Sequence, residues 1–195
     1  MQKQNDCSWP GEDQQYRQYH DEVWGRPEFD SQQLFEKLCL DGQQAGLSWL
    51  TILRKQGNYQ RAFAGFDPNV IAKWGDNEIE QLVTDAGIIR SRAKISAIIS
   101  NAQAYLSIEK GNGEFAHWLW SFVNHCQIDM TLDAESSMQT ESEESRAMAK
   151  ALKKAGFKFV GPTICYAFMQ AVGMINDHLL SCSCYQACKP SKYPW

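Results

Sequence analysis

His178-Leu179-Leu180-Ser181-Cys182 stands near the end of a 195-residue chain, and its reading decides how that chain closes. On a helix, residues i and i+4 share one face, so this imidazole and this thiol read as half of a tetrahedral metal site. Two partners for that half exist in the sequence. Cys184 and Cys188 would make a small C-terminal knob. Cys7 and His20, at the opposite end, would let one ion tie both termini of a domain together. Spacing alone leaves both arrangements open.

A length of 195 residues suffices for one well-cored domain, and a hydrophobic content of 44% with seven Trp suits a globular protein. No run of about 18 apolar residues occurs, so no membrane partner is expected. Met1-Gln2-Lys3-Gln4-Asn5-Asp6 lacks the apolar core of an export signal. The expectation is a cytoplasmic protein, where seven cysteines serve as thiols or metal ligands and not as disulfides. The formal net charge of −4 disfavours a binder of nucleic acid that relies on bulk basicity, and leaves room for one that uses a local patch. Such patches are present at Arg90, Arg92 and Lys94, and at Lys150, Lys153, Lys154 and Lys158.

The periodicity is helical nearly throughout. Asp30 with Gln33, Ser48, Asp67-Pro68, and Asn77 with Glu80 read as helix starts. Ile95, Ile98, Ile99, Ala102, Tyr105 and Leu106 repeat at helical spacing over a long element. Gly156 closes another helix and Pro162 opens the next. The only β-like piece is Phe157-Lys158-Phe159-Val160, too short for a sheet. Gln127 to Ser142 is polar, without period, and reads as a surface loop. The fold class expected is all-α: one domain over residues 1–195, with room for two lobes.

Three clusters carry candidate chemistry. Asp85-Ala86-Gly87-Ile88-Ile89-Arg90-Ser91-Arg92-Ala93-Lys94 lies between two helices. Gly87 would end the first helix at positive φ, and the free amides of the second would face an anion among Arg90, Arg92 and Lys94. A helix-hairpin-helix element holds a DNA phosphate in this way; an ordinary helical corner with solvated basic residues is the plainer reading. Trp9, Tyr16, Tyr19 and Trp24 crowd the first 25 residues beside His20. Aromatic residues at helical spacing are usually core, but four beside a candidate metal ligand is dense. Asp41-Gly42-Gln43-Gln44-Ala45-Gly46-Leu47-Ser48-Trp49 follows a helix as a turn with two glycines, two amides and one carboxylate, and Trp49 is placed to stack on a ligand.

Taken together, Cys7-Ser8-Trp9, Tyr16 to Gly25, Gly42 to Trp49, Asp85 to Arg90, Gly156 to Gly161 and Asn176-Asp177-His178 resemble the bacterial 3-methyladenine DNA glycosylase I family over nearly the whole length. The resemblance implies an all-α helix-hairpin-helix fold with a structural zinc ion (Zn2+) joining the termini, held by Cys7, His20, His178 and Cys182. Cys184 and Cys188 are then spare thiols. It also implies monofunctional hydrolysis of the N-glycosidic bond of N3-methyladenine, with alkylated double-stranded DNA as partner, free 3-methyladenine as product, and a monomeric enzyme. Tyr16, Tyr19 and Trp49 fall on the family's pocket rings, with Trp9 and Trp24 as further walls. Gly46 and Leu47 fall on the segment that fills the gap left by a flipped base, and Arg90, Arg92 and Lys94 on the backbone grip. Electron-rich rings suit a cationic base, and a carboxylate suits its exocyclic amine. Asp41 stands where the family carries glutamate, one methylene shorter. The rival expectation is therefore a protein of the same fold that binds the damaged base and cuts weakly or not at all.

Overall fold

A computed structural model describes residues 7–195; the reading of Met1 to Asp6 lies outside them. Ten α-helices are present among the described residues: α1 (Gln14–Glu22), α2 (Ser31–Gln44), α3 (Trp49–Leu53), α4 (Gln56–Ala62), α5 (Pro68–Ile71), α6 (Asp76–Leu82), α7 (Arg92–Asn112), α8 (Phe115–Trp120), α9 (Glu143–Ala155) and α10 (Pro162–Ala171). No helix among them is long and apolar enough to cross a membrane.

Several starts follow from local chemistry. Asp30 accepts from the Gln33 amide at 2.9 Å, Ser48 from Thr51 at 3.3 Å, and Asp67 from Asn69 at 2.8 Å, each satisfying an otherwise orphaned donor. Gly156 closes α9 at φ +106°. The expected start at Asn77 is displaced: α6 opens at Asp76, where Glu78 reaches back to the Gly75 amide at 2.8 Å.

Helix α2 is the centre of the molecule. It packs against α3, α7, α8 and α10, and nine of its residues, Leu34 to Gln43 except Lys37, are buried. Two consequences reach the site. First, α2 runs on through Asp41, Gly42, Gln43 and Gln44, so the expected turn shrinks to Ala45–Ser48. Gly42 serves close approach and not a bend; a Cβ there would meet the Phe159 Cβ at 3.1 Å. Second, Asp41 is buried, and a carboxylate is costly there unless a partner offsets it.

The C-terminal third departs from the sequence reading. His178 to Cys182 is not helical. A short strand β2 (Ile175–Asn176) pairs in parallel with β1 (Ile128–Asp129), and Leu132 bridges to Leu179. The two ligating candidates therefore sit on a tight turn whose start is fixed by pairing with a distant segment of the same chain, an interaction that local periodicity does not record. By the same pairing, Gln127 to Ser142 is more than a surface loop. It supplies β1, a 3-10 turn at Glu135–Ser137, and a carboxylate, Glu135, that accepts from the Ser8 amide and, at 2.5 Å, from the Ser8 hydroxyl. Phe157–Val160 is not a strand among the described residues.

Candidate base pocket and metal cluster

Asp13 caps α1 by accepting from the Tyr16 amide at 3.0 Å. The helix then delivers Tyr16 and Tyr19 toward one hollow and His20 toward the C-terminal segment. The hollow has a volume of about 180 Å³ and is lined by Trp9, Tyr16, Tyr19, Trp24, Asp41 and Trp49, all six pocket candidates of the sequence. A cavity of roughly 150 Å³ already accepts a benzene-sized ring. Trp9 lies 4.9 Å edge-on from Tyr16 and 5.1 Å from Trp24, and Tyr19 lies 5.6 Å from Trp49, measured between ring centroids. Burial, with the Asp41 charge beside it, holds the Tyr19 hydroxyl well above the ordinary phenol range, so it stays a neutral donor.

Sequence reasoning missed further wall residues. Lys37 is one; it donates to Asp41 Oδ1. Its place four residues before Asp41 on one helix was the available signal. Gln44, Met138, Ala167, Gln170 and Ala171 complete the lining. Met138 comes from the stretch read as a loop, and the last three come from α10, which nothing local links to α1. Asp41 Oδ2 is buried without a hydrogen-bond partner among the described residues. Burial pushes the Asp41 carboxyl up, and the Lys37 charge pulls it back.

Gly46 and Leu47 occupy the loop between α2 and α3 at the protein surface. Gly46 takes φ +77°, and Leu47 is 40% exposed. The hairpin between α6 and α7 is built as expected except at Gly87. Its φ is not positive; a Cβ there would meet the Asp85 carboxylate at 2.9 Å and Asn58 at 3.3 Å, so close approach is what demands glycine. Ser91 starts α7 without a side-chain cap, leaving first-turn amides for an external acceptor. Arg90 is exposed, and Arg92 makes an exposed pair with Glu80 at 2.6 Å. Lys94 is engaged inside the protein: its ammonium donates to the Gln43 and Ala45 carbonyls, 2.7 Å each. It thereby ties the hairpin helix to the loop that carries Leu47.

The cysteines and histidines of both termini converge. Cys7, His20, His178 and Cys182 are all buried, and their donor atoms lie within 4.8 Å of one another. Cys182 Sγ stands 3.5 Å from His178 Nδ1 and 3.7 Å from His20 Nε2, and Cys7 Sγ stands 3.9 Å from His178 Nδ1. Tetrahedral zinc with bonds of about 2.3 Å to sulfur and 2.0 Å to nitrogen puts such neighbours roughly 3.5 Å apart, so the donor set fits that ion. The outer nitrogens are also engaged: His20 Nδ1 lies 2.7 Å from Asp21 Oδ1, and His178 Nε2 lies 3.2 Å from the Trp24 carbonyl. Such outer contacts orient ligating imidazoles. The interaction between the two thiols holds Cys182 far below the thiol range and Cys7 far above it, where burial adds to the effect. Cys184 sits beside Asp21, and Cys188 Sγ lies 3.3 Å from His178 Nε2.

A family model described as methyladenine glycosylase matches residues 9–185. DNA-3-methyladenine glycosylase 1 of Escherichia coli (strain K12) is 52% identical over 184 residues, 94% of this chain and 98% of that protein. A crystal structure of 3-methyladenine DNA glycosylase I superposes with a TM-score of 0.90 at 50% identity, covering 92% of this chain and 99% of that one. Another, of a tyrosine-to-phenylalanine variant of 3-methyladenine DNA glycosylase I in complex with 3-methyladenine, gives 0.90 at 40% identity, covering 97% and 99%. The chain belongs to the methyladenine glycosylase family.

Proposed function

We propose that this chain excises N3-methyladenine from alkylated DNA, a base-excision repair hydrolase acting on the N-glycosidic bond. The observation that carries the reading is Asp41 Oδ2: a buried acceptor without a partner, set in a cage of electron-rich rings. Burying such an atom is costly unless a ligand donor completes it.

Alkylation at N3 leaves the base cationic, so its bond to the sugar is already weak. The protein's task is to extrude the nucleotide and hold it; flipping costs a few kcal/mol and least for damaged bases. Leu47 and Gly46 fill the gap in the stack. Tyr16, Tyr19 and Trp49 stack on the base with Trp9 and Trp24 behind, and Asp41 Oδ2 accepts from the exocyclic amine. The bond between C1′ and N9 then breaks, its electron pair passing to the base. The sugar carries the positive charge until water adds to C1′ and releases a proton. Arg90, Arg92 and the first-turn amides of α7 hold the phosphates, while Lys94 fixes the loop beneath Leu47. Double-stranded DNA as substrate, a monomeric state and a cytoplasmic location belong to the same reading.

Cys7, His20, His178 and Cys182 would hold zinc. Four protein ligands of this kind make a structural site, so the ion would supply a crosslink and no chemistry. Cys182→Ser is expected to lower bound metal, and Cys184→Ser to leave it in place.

A second reading draws on the short arm of Asp41 and its pairing with Lys37: the protein binds the base and cuts slowly. Chromatography of the purines freed from methylated duplex DNA tests both. Free 3-methyladenine at catalytic turnover supports excision. Tight binding of the free base without release would replace it with the second reading.

A further inference from the structure

The acid of the pocket does not stand alone. Lys37 lies one turn before Asp41 on α2, donates to its Oδ1, and places its ammonium 4.1 Å from the centroid of the Trp49 ring. Its side chain is 16% exposed and that of Asp41 2%. Among the described residues lining the hollow, Lys37 and Asp41 are the only charged ones. The carboxylate and the ring face are the two features that attract a cationic base, and the protein has brought its own cation to both. The pocket therefore sums to zero charge and not to −1. Burial pulls the Lys37 ammonium below its ordinary range, and the Asp41 charge pulls it back.

The charge of the substrate changes during the reaction. N3-methyladenine is cationic while joined to DNA. When the bond from C1′ to N9 breaks, N9 receives the electron pair and the base leaves neutral. A fixed ammonium beside the ring therefore repels the bound base more than the departing one. Only an interaction that differs between ground and transition state changes the chemical rate.

We propose that Lys37 sets both the affinity and the rate of this pocket: it turns a cation trap into an electroneutral cage, weakening the hold on the charged base and favouring its departure as a neutral one. This rests on the excision reading above. In that role Lys37 shares Asp41 with the substrate, the ammonium on Oδ1 and the exocyclic amine of the base on Oδ2. It acts on the leaving group by charge alone, and gives up no proton.

The test is wild type against Lys37→Met and Lys37→Arg on a duplex with a single N3-methyladenine. Single-turnover rate and substrate affinity are measured separately, together with affinity for free 3-methyladenine. In Lys37→Met the rate constant is expected to fall about tenfold and the methylated duplex to bind several-fold tighter, the scale of one unit charge several ångströms away at an effective dielectric of about 20. The neutral free base should bind within about twofold of wild type, and Lys37→Arg, which keeps the charge, should lie closer to wild type in single-turnover rate than Lys37→Met does. A purely structural lysine would give slower cleavage with weaker binding of both ligands, and that result overturns the proposal, as does a Lys37→Met protein matching wild type. Should Lys37→Met fail to fold, Lys37→Gln carries the same expectations. A wild-type protein that frees no 3-methyladenine removes the excision reading itself. Wild-type release with an unchanged variant removes this inference alone.

Discussion

Gly25→Ala tests whether the N-terminal aromatic segment and the C-terminal turn are locked together as the structure has them. Gly25 adopts φ +82°, where a side chain costs about 1–2 kcal/mol. An added Cβ would also stand 2.8 Å from His178 Nε2 and 3.0 Å from its Cδ2, with Cys188 Sγ at 3.4 Å. The imidazole must then turn away, at about 0.5–1.5 kcal/mol for leaving its rotamer. Its contact with the Trp24 carbonyl, 3.2 Å in the native protein, goes with it, worth another 0.5–1.5 kcal/mol or so. The sum is about 2–5 kcal/mol, or a Tm lower by roughly 4–20 °C for a chain of this length. Gly11→Ala is the control: φ is +61°, but nothing lies within 4 Å of the new Cβ, so only backbone strain remains. Thermal unfolding followed by circular dichroism, with bound metal counted by emission spectroscopy, reads both variants. Equal losses in the two, or full metal content in Gly25→Ala, would refute the placement of His178 against Gly25.

The remaining predictions address the pocket, the surface loop and the clasp. Asp41→Asn leaves the Lys37 ammonium without its acid; breaking a fully buried pair costs about 3–5 kcal/mol, and partial exposure of Lys37 should bring this to roughly 2–3 kcal/mol in urea unfolding, with loss of 3-methyladenine binding by calorimetry. Leu47→Ala should stay within about 0.5 kcal/mol of wild-type stability because Leu47 is exposed, while excision from duplex DNA falls more than excision from a single strand. Burial pushes the Glu135 carboxyl up, but donation from Ser8 and Trp9 outweighs it, and the group lies below its ordinary value. A depressed acid contributes stability above its unfolded pKa of about 4.3 and loses it as pH falls through the folded value, so acid unfolding should begin earlier in wild type than in Glu135→Gln when each is scaled to its own stability at pH 7. Removing metal with a chelator should weaken base binding before it reduces helical content.

What could be read from the chain and what could not divide along a physical line. The starts at Asp30, Ser48 and Asp67 and the stop at Gly156 were legible because each depends on a donor or acceptor two or three residues away. The segments that failed depend on partners far along the chain. His178 to Cys182 has the spacing of a helix, yet the Leu132–Leu179 bridge, and the Ile128–Ile175 pairing just before the segment, hold it as a turn. Gln127 to Ser142 has no period because its strand is two residues long and its contacts are distant, Glu135 with Ser8 spanning 127 positions. Choice of the distant clasp over Cys184 and Cys188 came from family resemblance and not from spacing. Lys37 was legible in principle from its four-residue offset to Asp41, but a lysine on an amphipathic helix ordinarily marks the solvent face.

The Cys-His cluster and the aromatic hollow are not separate devices. Trp9 lies 5.5 Å from His20 as well as 4.9 Å from Tyr16, and Trp24 lines the hollow with its ring 4.6 Å from His178. Glu135 fixes Ser8 and Trp9 between them, and its own position is set by the pairing that brings His178 into place. Helix α1 is only nine residues long, and an isolated helix of that length is unstable in water. Its two tyrosines therefore owe their position to what holds either end of the helix. Asp13, paired to Arg54 at 2.6 Å, anchors the start. Toward the far end that support is His20, and through it the C-terminal turn. In the proposed reading these rings stack on the base, and a misplacement of about 1 Å can cost on the order of 100-fold in rate. Closing the chain through its two termini therefore does more than stabilise the fold, because the same buried contacts set the walls against which a flipped base would be held.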